Sequence, residues 1–226
     1  MDVNDAKTWY QRFYAPNNAT LVVVGDVTPA SVYTLAKHYF GAIPPRPQIV
    51  RKLQTEPRRL GKKTVLVQAP AQLPILFMGY TVPSLKTISS TEPYTLEVIS
   101  GLLDAGGGGR FKKHLVHGKQ IASYVKANYN KYARYQTQFV LLGAPNKTHT
   151  LTDLEESILF EINQLKIHRV DEHELQRIKI QLIAQKTFER DAILDQATEL
   201  GMLETVGLGW KTADDYIEKI NQVTPE

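Results

Sequence analysis

Three side chains that bind zinc readily, His168, Glu172 and His173, fall within six residues of one another in the stretch KIHRVDEHELQRIK. A zinc helix of the inverted type reads His-x-x-Glu-His, with its two imidazoles on one face. This stretch reads His-x-x-x-Glu-His. At 3.6 residues per turn the extra residue moves the second imidazole from about 40° to roughly 140° around the axis. Two rings so separated cannot close on one ion. Local start signals point the same way. Asp171 and Glu174 form the capping box Asp-x-x-Glu ahead of the apolar positions Leu175, Ile178 and Leu182. His168 therefore precedes the cap, His173 sits in the first turn, and both read as solvent-facing.

Two other constellations invite chemistry. In LLDAGGGGRFKKHLV, Gly106, Gly107, Gly108 and Gly109 suggest a phosphate cradle. A P-loop needs Gly-x-x-x-x-Gly-Lys-Ser/Thr after a strand, because the lysine and hydroxyl hold phosphate and magnesium. Here the run follows a helical pattern, and Arg110-Phe111 stand where Lys-Ser/Thr is required. What remains is a run of glycines that lets the backbone bend sharply and approach another chain closely. It reads either as a plain turn or as a peptide- or partner-contacting loop. His114 and His117 are three apart, close enough on a helix to share an ion, but no carboxylate lies between residues 105 and 152 to complete a catalytic set. No Gly-x-Ser-x-Gly elbow is present. The chain by itself carries no complete catalytic apparatus.

The elements that would position these residues belong to an ordinary globular chain. Its 226 residues are 42% hydrophobic and 22% charged, enough for a proper core. With no cysteine there is neither a disulfide framework nor thiolate chemistry. No apolar run is long enough to span a membrane. The ending INQVTPE stops on a helix-start signal, which leads us to expect a piece of a longer protein, one domain over 1–226. The net charge of +4 is concentrated in the proline-punctuated stretch 44–63. That stretch lacks interleaved aromatics and reads as a solvated linker within the domain rather than a nucleic-acid surface.

ATLVVVGDV (19–27), KTVLVQA (63–69) and LPILFMGYTV (73–82) read as strands, the last two joined tightly at Pro70-Ala71-Gln72. IASYVKANYNK (121–131) and TQFVLLGAP (137–145) read as an antiparallel pair. Helices are expected over 30–40, 93–103, 110–116, 151–167, 171–190, 192–206 and 213–220, the last capped by Thr212. Strands that follow one another directly, with helices gathered outside them, argue for an α+β two-layer sandwich. Its sheet should be mostly antiparallel, with helices packed on one face.

Several phrases together carry a resemblance. WYQRFYAPNNATLVVVGDVTPASVYTLAKHYFGAIPPRP resembles the opening of the second domain of pitrilysin/insulinase-type zinc peptidases, a family that includes mitochondrial processing peptidase. LLDAGGGGRFKKHLVHGKQIASYVKANYN is similar to that family's Leu-Leu-Gly-Gly-Gly…Arg-Leu…Leu-Arg-Glu-Lys…Leu-Ala-Tyr-Ser block, and RVDEHELQRIKIQLIAQ resembles its Val-Thr-x-x-Glu-Leu-x-x-Ala-Lys helix. The likeness implies a non-catalytic second domain that forms the wall of a peptide-enclosing chamber and a subunit interface. Zinc, bound by His-x-x-Glu-His, would lie in the parent's first domain, and this chain would hold no cofactor. In such enzymes the metal polarises the scissile carbonyl and its bound water.

The family's second domain often supplies an arginine and a tyrosine, seven apart, that hold substrate. Aligning IASYV with Leu-Ala-Tyr-Ser-Val puts Val116 and Ser123 there, and a shift of one gives His117 and Tyr124; neither recovers the pair. In paired-subunit relatives the zinc-bearing chain lacks these residues while its partner supplies them, which is why this chain reads as the second half of the zinc-bearing one. The peptide contacts implied are Gly106–Gly109, Arg110, His117 and Tyr124. Implied partners are a peptide substrate, the first domain and a homologous subunit in a dimer, with no nucleic acid. The resemblance favours a bacterial protein of the periplasm. Two rivals stand beside it: a scaffold or assembly subunit of the same fold without proteolysis, and a phosphate-binding domain using the glycine run.

Overall fold

A computed structural model describes residues 2–47, 61–70, 73–86 and 90–226, so most of the basic stretch 44–63 and the centre of the 70–72 connection lie outside the described residues. The chain divides into two compact units, one made of 1–60 and 189–210 and the other of 61–188 and 211–226.

The second unit is built on a three-stranded antiparallel sheet in the order β1-β3-β2, with β1 Leu76–Val82, β2 Ala122–Tyr129 and β3 Thr137–Pro145. β2 and β3 form the expected hairpin, and β1 lies on the other side of β3 with Met78 opposite Leu141. Alternation along each strand decides what is buried. Val125, Phe139 and Leu141, with Leu76, Met78, Ala127 and Tyr129 beside them, point toward the helix layer. There they meet Leu103 of α3 (Glu92–Asp104), Phe111 and Leu115 of a helix over Phe111–Gly118, and Leu154 and Ile158 of α4 (Leu151–Ile167). Phe111, Leu115, Leu141, Leu154 and Ile158 are sealed from water. Each such side chain contributes on the order of 1.5–3 kcal/mol of burial free energy.

α5 (Glu172–Glu189) reaches α3 through Gly101, where an added Cβ would come within 2.7 Å of the Ile178 side chain. Only glycine permits that approach. α7 (Tyr216–Gln222) completes the unit, and the buried Lys179 ammonium donates to the Asn221 carbonyl near its end at 2.9 Å. The fold is the expected α+β arrangement, an antiparallel sheet with helices.

The first unit contains α1 (Val3–Phe13), α2 (Pro29–Phe40) and α6 (Ile193–Val206). α1 lies outside the helices expected from periodicity, although Asp2 and Asp5 close a complete capping box at its start. α2 begins as expected, with the Thr28 hydroxyl accepting from the Ser31 amide. Asn17 holds Arg46 by reciprocal bonds, its amide nitrogen to the Arg46 carbonyl and its oxygen to the Arg46 N–H.

Four local expectations are corrected. Residues 19–27 and 63–69 make no strand ladder, because an apolar run supplies propensity while a ladder needs a facing edge. The helix expected over 110–116 is a π-helix over Phe111–Gly118, in which the Lys119 amide bonds to the His114 carbonyl five residues back. Thr212 does not cap the last helix; it is buried in a 3₁₀ turn over Trp210–Ala213, and the helix starts later, at Tyr216. Only half of the box at Asp171 forms. Its carboxylate accepts from the Glu174 amide at 3.0 Å, but Glu174 turns its own carboxylate elsewhere.

Candidate functional site

The glycine run splits into two halves with different duties. α3 ends at Asp104, Gly106 takes φ +52°, and Gly106–Gly108 make one 3₁₀ turn. A side chain on Gly106 or Gly107 would meet nothing within 4 Å, so their backbone stands open to water. Gly109 could not carry one, since its Cβ would fall 2.7–2.8 Å from the backbone of Asp104 and Ala105. The Gly108 carbonyl accepts from Arg177 Nη2 at 3.0 Å, with the guanidinium where a Cβ would be. Gly109 is therefore required by packing, Gly108 lies against the movable end of the Arg177 side chain, and Gly106 and Gly107 are presented outward.

Arg110, the next residue, is engaged by Glu174 of α5. Its Nε donates to Oε1 at 3.0 Å and Nη2 to Oε2 at 2.6 Å, a bidentate fork. The hydrogen bond to Glu174 raises the Arg110 pKa further, and the same bond holds the Glu174 carboxyl below its ordinary range. The charge that the sequence offered to a peptide is thus already paired within the chain.

On the π-helix, His114 Nδ1 lies 3.0 Å from Glu161 Oε2, and that carboxylate, from α4, is almost fully buried. Sequence reasoning found no carboxylate near these histidines because Glu161 is 47 residues from His114 along the chain and reaches that one ring only through the packing of α4. Its signal was available: a charge at an otherwise apolar position, one turn from Ile158. His117 lies on the same helix, exposed. His168 terminates α4 and His173 lies in the first turn of α5, both exposed. Among the described residues no three His, Asp or Glu side chains gather in a metal-holding group. The His114–Glu161 pair supplies too few donors for a zinc site, which takes three or four ligands.

Tyr124 lies on β2 opposite Ala144, just past a bulge at which the Ser123 hydroxyl donates to the Pro145 carbonyl at 2.9 Å. Tyr124 points away from the helix layer, with Lys126 and Asn128 beyond it. Val140, Leu142 and Gln138 of β3, and Phe77, Gly79 and Thr81 of β1, complete that face by alternation. Phe77 is 63% exposed. The face turned away from α3, α4 and the π-helix is thus apolar at its centre and polar at its rim.

A family model described as the peptidase M16 inactive domain matches residues 1–182. The chain belongs to this family. The M16 inactive domain is 26% identical over 181 residues to zinc protease PqqE of Helicobacter pylori, covering 79% of this chain and 40% of that protein. In three dimensions it resembles a protease from Helicobacter pylori with a TM-score of 0.91 at 22% identity, over all of this chain and 54% of the other. It also resembles the peptidase M16 inactive domain from Pseudomonas fluorescens, with a TM-score of 0.68 at 16% identity over 88% of this chain and 46% of that one. This M16 domain spans about half or less of the length of these relatives. Its glycine turn, π-helix and bulged β2 lie within the matched residues.

Proposed function

We propose that the chain is the non-catalytic part of a zinc metalloendopeptidase subunit, the second half of a zinc-bearing chain, and that it walls a peptide-enclosing chamber. The family assignment carries the non-catalytic part of this reading. The face of the sheet turned away from α3, α4 and the π-helix carries the wall. A face centred on Phe77, Val140 and Leu142, with Thr81, Gln138 and Asn128 around it, suits an extended peptide whose apolar side chains alternate with a solvated backbone. The outward glycines Gly106 and Gly107 would let a peptide or a homologous subunit approach the backbone closely. Arg110 acts from behind, pinning the turn to α5. His117 and Tyr124 would contribute side contacts. The implied zinc would be held by the parent's first domain, a reading that the likeness to a zinc protease supports.

The test uses the full-length protein. Phe77→Asp should raise KM for a peptide substrate about tenfold while kcat changes little, the signature of lost uniform binding. An unchanged KM would remove the sheet face from the substrate path. Metal analysis of this chain alone should find no stoichiometric zinc. If the parent's preceding half lacks His-x-x-Glu-His, the scaffold reading replaces the peptidase one.

A further inference from the structure

Two lysines of the second unit, Lys131 and Lys179, are buried, and both engage α7. Lys131, in the connection between β2 and β3, donates from Nζ to both carboxylate oxygens of Glu97 on α3, at 2.9 and 2.8 Å. The rings of Tyr132 and Tyr216 lie 4.6 Å from that ammonium and the ring of Tyr94 lies 5.7 Å from it, each within cation–π reach. The Tyr216 hydroxyl also donates to Glu97 Oε1 at 3.2 Å. One carboxylate would neutralise the ammonium; the aromatic faces around it add recognition beyond neutrality.

This cage has a fixed side and a side that arrives from elsewhere in the chain. Behind the ammonium, the Lys131 carbonyl accepts from the Leu85 N–H at 2.9 Å, and the Tyr129 hydroxyl donates to the Pro83 carbonyl at 2.6 Å. These bonds tie the connection to the residues that follow β1, while Tyr94 and Glu97 are carried by α3. Tyr216 belongs to a separate piece, because the chain leaves this unit after Phe188 and returns only at Lys211. It opens α7, whose seven residues have no side-chain cap at their start. A helix so short does not persist alone in water. Burial of Tyr216 and Ile220 holds it, together with the cage at its first residue and Lys179 at the Asn221 carbonyl in its last turn. An ammonium there also meets the negative end of the helix dipole.

We propose that α7 is a releasable clasp and that the Lys131 ammonium, gripped by the Tyr216 ring, is its lock. Closed, the clasp supplies one aromatic wall of the cage. On release, Lys131, Glu97, Tyr94 and Tyr132 stay together on the fixed side, and the flank that Tyr216 occupied opens to water. Residues 211–226 then lose their hold on the unit, while the sheet, α3 and α4 keep their packing. The clasp needs neither zinc nor peptide, and it stands or falls separately from the peptidase reading.

The chain has no cysteine, so a single introduced thiol reports alone. Ile220→Cys places it under α7 and Leu141→Cys places it in the sheet core, both at positions sealed from water. With a thiol reagent under native conditions, Ile220→Cys should label on the order of 100-fold faster than Leu141→Cys, because a clasp opens without global unfolding. Adding Lys131→Met should speed labelling of Ile220→Cys about tenfold, the loss of one desolvated cation–π contact. Tyr216→Leu, which leaves the Lys131–Glu97 pair whole, should speed it at least as much. Equal labelling of the two thiols in the parent background would overturn the clasp, since α7 would then leave only with the whole unit. An Ile220→Cys rate unchanged by either variant would deny Lys131 its part as the lock.

Discussion

Two tyrosine-bearing helices of this molecule meet opposite fates. Tyr94 of α3 is 1% exposed and its helix buries six residues, whereas Tyr33 and Tyr39 of α2 are 69% and 67% exposed and α2 buries none. Both helices carry apolar residues at helical spacing, so composition does not separate them. The difference is what each faces within its own unit. α3 lies against a sheet whose inward side chains fill the space under it, while α2 buries no residue against the described part of its own unit. An amphipathic helix gains stability from a surface to cover far more than from propensity.

That contrast can be broken most severely at Phe111, which is fully buried at the centre of the cluster. Phe111→Ala should cost about 3–5 kcal/mol in denaturant unfolding, through lost transfer energy and the cavity left behind. Leu203→Ala, at a sealed residue of α6 in the sparsely buried unit, should cost about 2–3 kcal/mol, the low end for such a truncation, because a loosely packed site collapses more easily. A loss as large as at Phe111 would show that the first unit is as tightly packed as the second.

A smaller effect is expected at the ion pair that fastens the glycine turn. Arg110→Ala leaves a half-buried carboxylate without its fork and should cost about 1–2 kcal/mol, reduced by solvent access to the pair. Because Arg110 holds the Glu174 carboxyl below its ordinary value of 4.5, this contribution is fully present above pH 4.5. It is lost as pH falls through the lower folded value, so stability curves of the variant and the parent chain should converge in acid. Parallel curves down to the acid limit would deny the pair its role. The smallest effect belongs to Tyr33→Ala, expected within about 0.5 kcal/mol of the parent. A loss above 1 kcal/mol would mean that α2 is covered after all.

Much of the fold was legible because its signals are local. α4 forms over the residues expected, with Thr150 and Asp153 closing a capping box, and the β2–β3 hairpin follows its alternation. The site was legible only in part. The glycines were conspicuous as residues, but that the Gly108 carbonyl meets Arg177, 69 positions away, was not readable from them. Glu174 was read as a capping residue, since Asp-x-x-Glu is a local pattern. The stronger partner was Arg110, 64 positions off, and a bidentate charged fork outcompetes a bond to one terminal amide. Histidine spacing on the helix after the glycines was judged by α-helical geometry, and the π-helix changes which faces those residues share.

By itself the sequence determined where α2 and α4 start, which strands pair through a short turn, and that residues 168–173 do not spell His-x-x-Glu-His. These follow from periodicity and capping, which act over a few residues. Only the tertiary structure decided that Glu161 meets His114, that Glu174 abandons its own helix start for Arg110, and that α3 meets the Ala127 backbone of β2. Those outcomes depend on which surfaces come together across tens of residues, and burial and charge pairing take their values only once that happens.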